Sequence, residues 1–391
     1  MNKKYRMSCG MMSKLNDLTE NYKYLQFSAA AMDGEFMWTV AENFNAIYRI
    51  RKSDFMTEFV CAIPGEDNLA LELYASGIIM VERKLYLIPG TAKRIAIYHI
   101  DDNEFTFLST EEMQGDHYPK FGVVYQKEQY IYLFPQSMQV SYVLRIDTKT
   151  DIMERIEFVL DFNAPKERND IFFFGCCVSD STWVGVGCPR VLGRFDDLTK
   201  RFSFRKLSKT NSYVYHIVEH EGWLYLLTLQ NEVIAFDPNT GKENLIWKDV
   251  NEAPEQYSRI IYYKNALWLF PFRSNHIVKI AGEKLAQVEY IQLPETIKVW
   301  KRRGGEERKY YGYYTENDMM YLYPGTTSCI LGVCIKNSEI FSYKTYSHRG
   351  KELKDELFKQ ELENLNYKDD LQYLIDILNY REVENDYEVE K

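Results

Sequence analysis

The sequence predicts an all-β chain: a seven-bladed β-propeller of four-stranded antiparallel blades, with a short C-terminal α-helical extension. Three observations predict it. A short apolar-aromatic run recurs seven times. A hairpin signature follows each run, and another extended run precedes it.

The recurring runs are FMWTV at 36–40, LYLIPG at 85–90, IYLFPQ at 131–136, TWVGVG at 182–187, LYLLT at 224–228, LWLFPF at 267–272 and MYLYPG at 320–325. Their aromatic markers are Trp38, Tyr86, Tyr132, Trp183, Tyr225, Trp268 and Tyr321. The mean spacing is about 47 residues, within the roughly 40–50 of propeller blades. After each marker come an apolar run, a polar turn and a second apolar run, as in VIAF-DPNTGK-ENLIW at 233–247. Asp, Asn, Gly and Ser in the turns mark hairpins. Asp237 to Gly241 is the clearest turn, and Asp101-Asp102 and Asp196-Asp197 are read as turn formers. Runs such as FGVVYQ at 121–126 and RIIYY at 259–263 supply the innermost strand before each marker. No 10–15-residue amphipathic helix separates the strands, so a parallel α/β sheet is not indicated.

The units resemble degenerate kelch-type blades. AFDPNTGKENLIW at 235–247 is similar to the kelch third strand, turn and fourth strand, with Trp247 in the aromatic position. Four units depart from that pattern, with Pro89, Pro135, Pro271 and Pro324 where kelch blades usually carry a Gly-Gly pair. The resemblance implies an architecture over about residues 24–346 and carries no catalytic residue with it.

Residues 1–23 form a lead-in segment, 24–346 the propeller and 347–391 an acidic helical tail. Leu371, Leu374, Ile375 and Leu378 follow helical spacing, and Leu353, Leu357, Leu362 and Leu365 suggest an earlier helix. The tail is expected to cap the body or to offer a helix to a partner. The chain carries a net charge of −9. Six of those charges fall in residues 349–391, so the body is close to neutral. Nucleic-acid binding needs a basic face, and none is indicated. The one basic run, KVWKRRGGEERK at 298–309, is read as a solvated loop, with anion binding as its functional alternative. The basic N-terminus has no apolar core of a signal peptide. No stretch approaches the ~18 apolar residues of a membrane span. A cytoplasmic protein without a membrane segment is expected.

HExxH, GxSxG and the P-loop are absent. His216 and His220 would stand about 13 Å apart on a strand, too far for one metal ion. The seven cysteines include no CxxC pair. No metal or other cofactor is expected.

Small residues recur on the innermost runs, eight to ten positions before the marker: Ala29, Gly77, Gly122, Gly175 and Gly312. They suit a crowded axis where backbones approach closely. The fifth and sixth units carry His216 and Arg259 there instead. With Lys120, Tyr257 and Tyr310 they form the candidate ligand site at the channel mouth. The leading functional expectation is a non-enzymatic scaffold or recognition protein that binds another protein. The alternative is an enzyme or binding module for a small anionic or saccharide ligand at the mouth.

A reducing compartment suits an odd, unpaired cysteine set. Thiol titration of the denatured, unreduced chain is expected to find about seven groups. A value near five or below would reveal a disulfide.

Overall fold

The structure, a computed structural model, describes residues 23–109, 121–135, 142–157, 159–160, 173–178, 181–187, 190–250, 253–282, 285–299, 307–347, 349 and 352–353. Seven antiparallel sheets of consecutive strands form the blades. Every marker aromatic lies on the second strand of its blade, as the repeat alignment predicts.

The first blade holds Ala30–Met32, Phe36–Val40, Ile47–Arg51 and Thr57–Cys61. The last holds Tyr310–Glu316, Met319–Pro324, Cys329–Cys334 and Ile340–Lys344. The fourth departs from the four-strand rule. Val159–Leu160 pairs in parallel with its outermost strand, Arg201–Arg205, and covers that edge.

Side chains alternate across each strand, so a blade presents two faces. In a ring both faces must be apolar, because each meets a neighbour. Seven buried clusters result, one at each blade interface. Fully buried strands read as continuous apolar runs, which explains Ala266–Pro271, buried along its whole length. The outermost strand of the same blade, Gln287–Gln292, is exposed at five of six positions and is polar at three.

The turns form as their residues require. Asp237 Oδ1 accepts from the amides of Asn239 and Thr240, and Gly241 takes a φ of 75°. Asp196 Oδ1 likewise accepts from Leu198 N and Thr199 N. These turns and those between first and second strands lie on one face of the ring, called lower here. Interblade ion pairs run around it: Arg83–Asp33, Lys84–Asp151, Lys127–Asp197, Lys264–Asp318 and Lys52–Glu316. The opposite, upper face carries the second-to-third-strand loops and the connections between blades.

The first blade has four strands of its own, so the termini share no blade. Closure comes from the segment ahead of it. Leu25 N donates to Thr345 O at 2.8 Å, Ser347 N to Lys23 O at 3.0 Å and Phe27 N to Pro324 O at 2.9 Å. Tyr48 Oη and Ser347 Oγ lie 2.8 Å apart in the buried seam. Leu25, Phe27 and Leu353 complete the apolar cluster between the last and first blades. The rest of the expected helical tail, Leu371 to Leu378 included, lies outside the described residues.

Gly312 marks the closest approach at the seam. A Cβ there would meet Ser28 O at 2.3 Å and the Tyr323 ring at 2.5 Å. Gly312→Ala should therefore cost roughly 1–3 kcal/mol by overpacking. Gly34→Ala is the control, because its Cβ would meet nothing within 4 Å. Denaturant midpoints of the two variants check this; equal midpoints would refute a tight seam at Gly312.

Candidate functional site

The mouth of the channel on the upper face is built by bulges. In the blades that begin at Phe121, Phe173, Val214, Tyr257 and Tyr310, the innermost strand shifts register near its start. A bulge adds one residue and re-aims the side chains beside it.

His216 sits just past such a bulge in the fifth blade and is half-buried. Its Nδ1 accepts from Ile260 N of the sixth blade at 3.4 Å. Burial, and then the charge of Arg259, hold its pKa well below the usual histidine value. The imidazole is neutral near pH 7, and Nε2 carries the proton. Arg259, also half-buried, donates from Nη1 to Ser258 O at 3.0 Å. Its guanidinium lies 4.4 Å from the centre of the Tyr311 ring of the seventh blade. The Tyr215 hydroxyl is hydrogen-bonded to Tyr311, so three blades meet here. Burial first, and then Tyr311, push the Tyr215 pKa well above the ordinary phenol value.

Two other arginines flank the mouth, and both have carboxylates. Arg273 pairs with Glu255 at 2.7 Å, and Arg308 lies 3.8 Å from Glu72. Among the described residues no carboxylate pairs with Arg259.

The five candidate residues therefore divide. His216 and Arg259 come together on adjacent blades. Tyr257 and Tyr310 do not join them and are corrected here. Tyr257 is 2% exposed and packs edge-on against Trp247, while Tyr310 is fully buried with its hydroxyl 3.7 Å from Cys329 Sγ. The bulge supplies the reason. Tyr257 and Arg259 would share a face in a regular strand, and the inserted Ser258 breaks that parity. Lys120 lies outside the described residues. Tyr215 and Tyr311 were missed by the sequence reading, although both fall ten positions before their markers.

A second titratable group lies on the same face. Glu42 is 6% exposed, and its carbonyl accepts from Glu72 N at 2.6 Å. Burial first, and then the neighbouring Glu72, raise its pKa to about 7, against a hydrogen bond from Ser28 and the charge of Arg308. Glu72 itself holds a left-handed backbone, with φ 54°.

Among the described residues no three His, Cys, Asp or Glu side chains are grouped to hold a metal ion. None of their helices is long and apolar enough to cross a membrane. Cys61, Cys329 and Cys334 are free thiols; the side chains of the other four are not among those described.

No protein-family model matches the sequence, and a search of curated proteins returns no match. Solved structures do match in shape. A virginiamycin B lyase from Staphylococcus aureus superposes with a TM-score of 0.57 at 11% identity, over 78% of this chain and 93% of that one. A streptogramin B lyase gives 0.57 at 14% identity, over 78% and 92%. PorZ, a component of the type-IX secretion system of Porphyromonas gingivalis, gives 0.54 at 10% identity, over 82% of this chain and 38% of that one. The chain is a seven-bladed β-propeller, and at these identities the likeness concerns the fold alone. Its neighbours include an enzyme and a secretion component, and none of these three is described as a kelch protein.

Glu42 sets a pH dependence. A carboxyl with a raised folded-state pKa stabilises the fold below its unfolded pKa, and that contribution is lost as pH rises through about 7. Glu42→Gln should flatten the decline in melting temperature between the ordinary carboxylate range and about pH 7. Parallel profiles for the variant and the natural chain would rule this out.

Proposed function

We propose that the protein is a recognition propeller whose upper channel mouth binds the carboxylate or phosphate group of a small anionic ligand. One observation carries this reading: Arg259 is half-buried with no carboxylate partner among the described residues, while Arg273 and Arg308 each have one. A cation withdrawn from water without a counter-charge is costly. An anionic ligand would supply the missing partner through charge-assisted hydrogen bonds. The neutral His216 adds an N–H donor, and the Tyr311 ring holds the guanidinium in place.

A protein partner, the leading expectation from sequence, is the second reading. Leu245, Val288 and Tyr290 favour it, because they expose apolar surface on the outer strands of the fifth and sixth blades. The kelch resemblance stays within this proposal as well, supported by the Asp237 hairpin and the buried Trp247. A cytoplasmic address completes the reading and rests on the free thiols.

Calorimetry with inorganic phosphate and a panel of mono- and dicarboxylates tests the mouth. Arg259→Ala should weaken the tightest of these ligands about tenfold or more, equivalent to roughly 1.4 kcal/mol. The melting temperature should be nearly unchanged, because the residue lies outside the apolar clusters. Unchanged affinity, or loss of the fold without any ligand effect, would overturn the reading.

A further inference from the structure

A second concavity lies on the upper face between the fourth and fifth blades. It is an open groove of about 410 Å³, within the roughly 300–1,000 Å³ of small-ligand sites. Four connections build it. Arg190 comes from the second-to-third-strand loop of the fourth blade. The segment 208–213 joins the two blades. Residues 229–232 lead into the third strand of the fifth blade, and Lys248 ends its outermost strand.

The lining is mostly polar, with Leu229 and the Tyr213 ring as its apolar part, and its charges are unevenly paired. Glu232, with a side chain 8% exposed, has three donors. It accepts from Thr210 Oγ1 at 2.5 Å, Thr228 Oγ1 at 3.2 Å and Lys248 Nζ at 2.8 Å. Burial alone would raise its pKa, but these three donors outweigh burial and hold it below the ordinary value. Arg190 and Lys209 are different. Arg190 donates to Asn211 O at 2.5 Å and lies 5.1 Å from the centre of the Tyr213 ring. Neither Arg190 nor Lys209 has a carboxylate partner among the described residues. Lys209 N is already spent on Glu243, at 2.9 Å, so the segment is anchored from behind while its side-chain cations stay unpaired.

These demands narrow the ligand. An apolar molecule would desolvate the lining without return. A zwitterionic amino acid would bring its ammonium to a carboxylate that Lys248 already neutralises. A ligand with one negative charge and several hydroxyls fits better. Its charge meets Arg190 and Lys209, and its hydroxyls meet the hydroxyl and amide groups of 208–212 and the remaining lone pairs of Glu232. We infer that this pocket is a binding site for an acidic monosaccharide of the hexuronic acid type, separate from the channel mouth.

Titration of the full chain with glucuronate, followed by ligand-observed NMR and calorimetry, tests the inference. Glucuronate is expected to bind, glucose at least tenfold more weakly, and alanine not to compete. Arg190→Gln and Lys209→Gln, both exposed positions that leave the apolar clusters intact, should each weaken glucuronate several-fold, and together at least tenfold. Arg259→Ala should leave this binding unchanged. No binding of glucuronate, equal binding of glucose, or competition by alanine would overturn the inference. Loss that follows Arg259 alone would overturn it too, while leaving the mouth reading standing. If only the mouth reading is wrong, phosphate and dicarboxylate binding fails to respond to Arg259→Ala, while glucuronate binding still follows Arg190 and Lys209.

Discussion

The structure depends on closure of the seventh blade interface. Each blade has two apolar faces, and each face is covered only by the next blade. An open row would leave two faces in water, one at each end. Six interfaces form between blades joined directly by the chain, but the seventh must bring together segments some 320 residues apart. Loop closure over such a length is costly in entropy, so this seam needs more than side-chain packing. Main-chain hydrogen bonds from Leu25, Phe27 and Ser347, the buried Tyr48–Ser347 contact and the glycine at 312 supply it. Leu353 adds an apolar contribution from beyond the last blade, buried beside Leu25 and Phe27.

The same constraint shapes the mouth. Packing around the axis requires the innermost strands to lie close together. At Gly312 the backbones approach directly. Just before His216 and Arg259 a bulge residue, Tyr215 or Ser258, re-aims the strand, as Gly122 and Gly175 do in the third and fourth blades. The bulge residues also tie blades together, as Ser258 Oγ donates to Tyr310 O of the next blade at 2.8 Å. A feature needed for packing thus also gathers polar groups from three blades at one entrance.

Much of the fold was legible because the signals are periodic. A marker every 47 residues or so, a turn at a fixed offset and unbroken apolar runs all follow from a blade buried on both faces. The site was legible only in part. His216 and Arg259 stood out against a series of small residues, and they do meet, although the bulges align Gly122 and Gly175 with Tyr215 and Ser258 instead. Tyr257 and Tyr310 were assigned to the mouth by proximity in sequence, and one inserted residue per strand turned them into the core. No local residue preference announces that insertion: the bulge falls at Gly122, Tyr215 or Ser258 alike. Lengths between marker and inner strand carried the only trace, an offset of ten for Tyr215 and Tyr311. The pocket between the fourth and fifth blades had no repeat signal, because it is made of loops that differ from blade to blade.

The two faces of the ring divide these roles. On the lower face, turn aspartates bind their own backbone, and lysines or arginines reach across five of the seven interfaces to a carboxylate. These pairs serve the ring, although exposed pairs of this kind contribute little each. On the upper face the matching is incomplete. Arg190, Lys209 and Arg259 have no carboxylate partner among the described residues, and Glu42 is protonated in part near neutral pH. The half-buried Arg259 and the buried Glu42 carry the larger costs, because each is withdrawn from water. The three cations Arg190, Lys209 and Arg259, gathered at two concavities of the upper face, are what support the proposal of ligand recognition there.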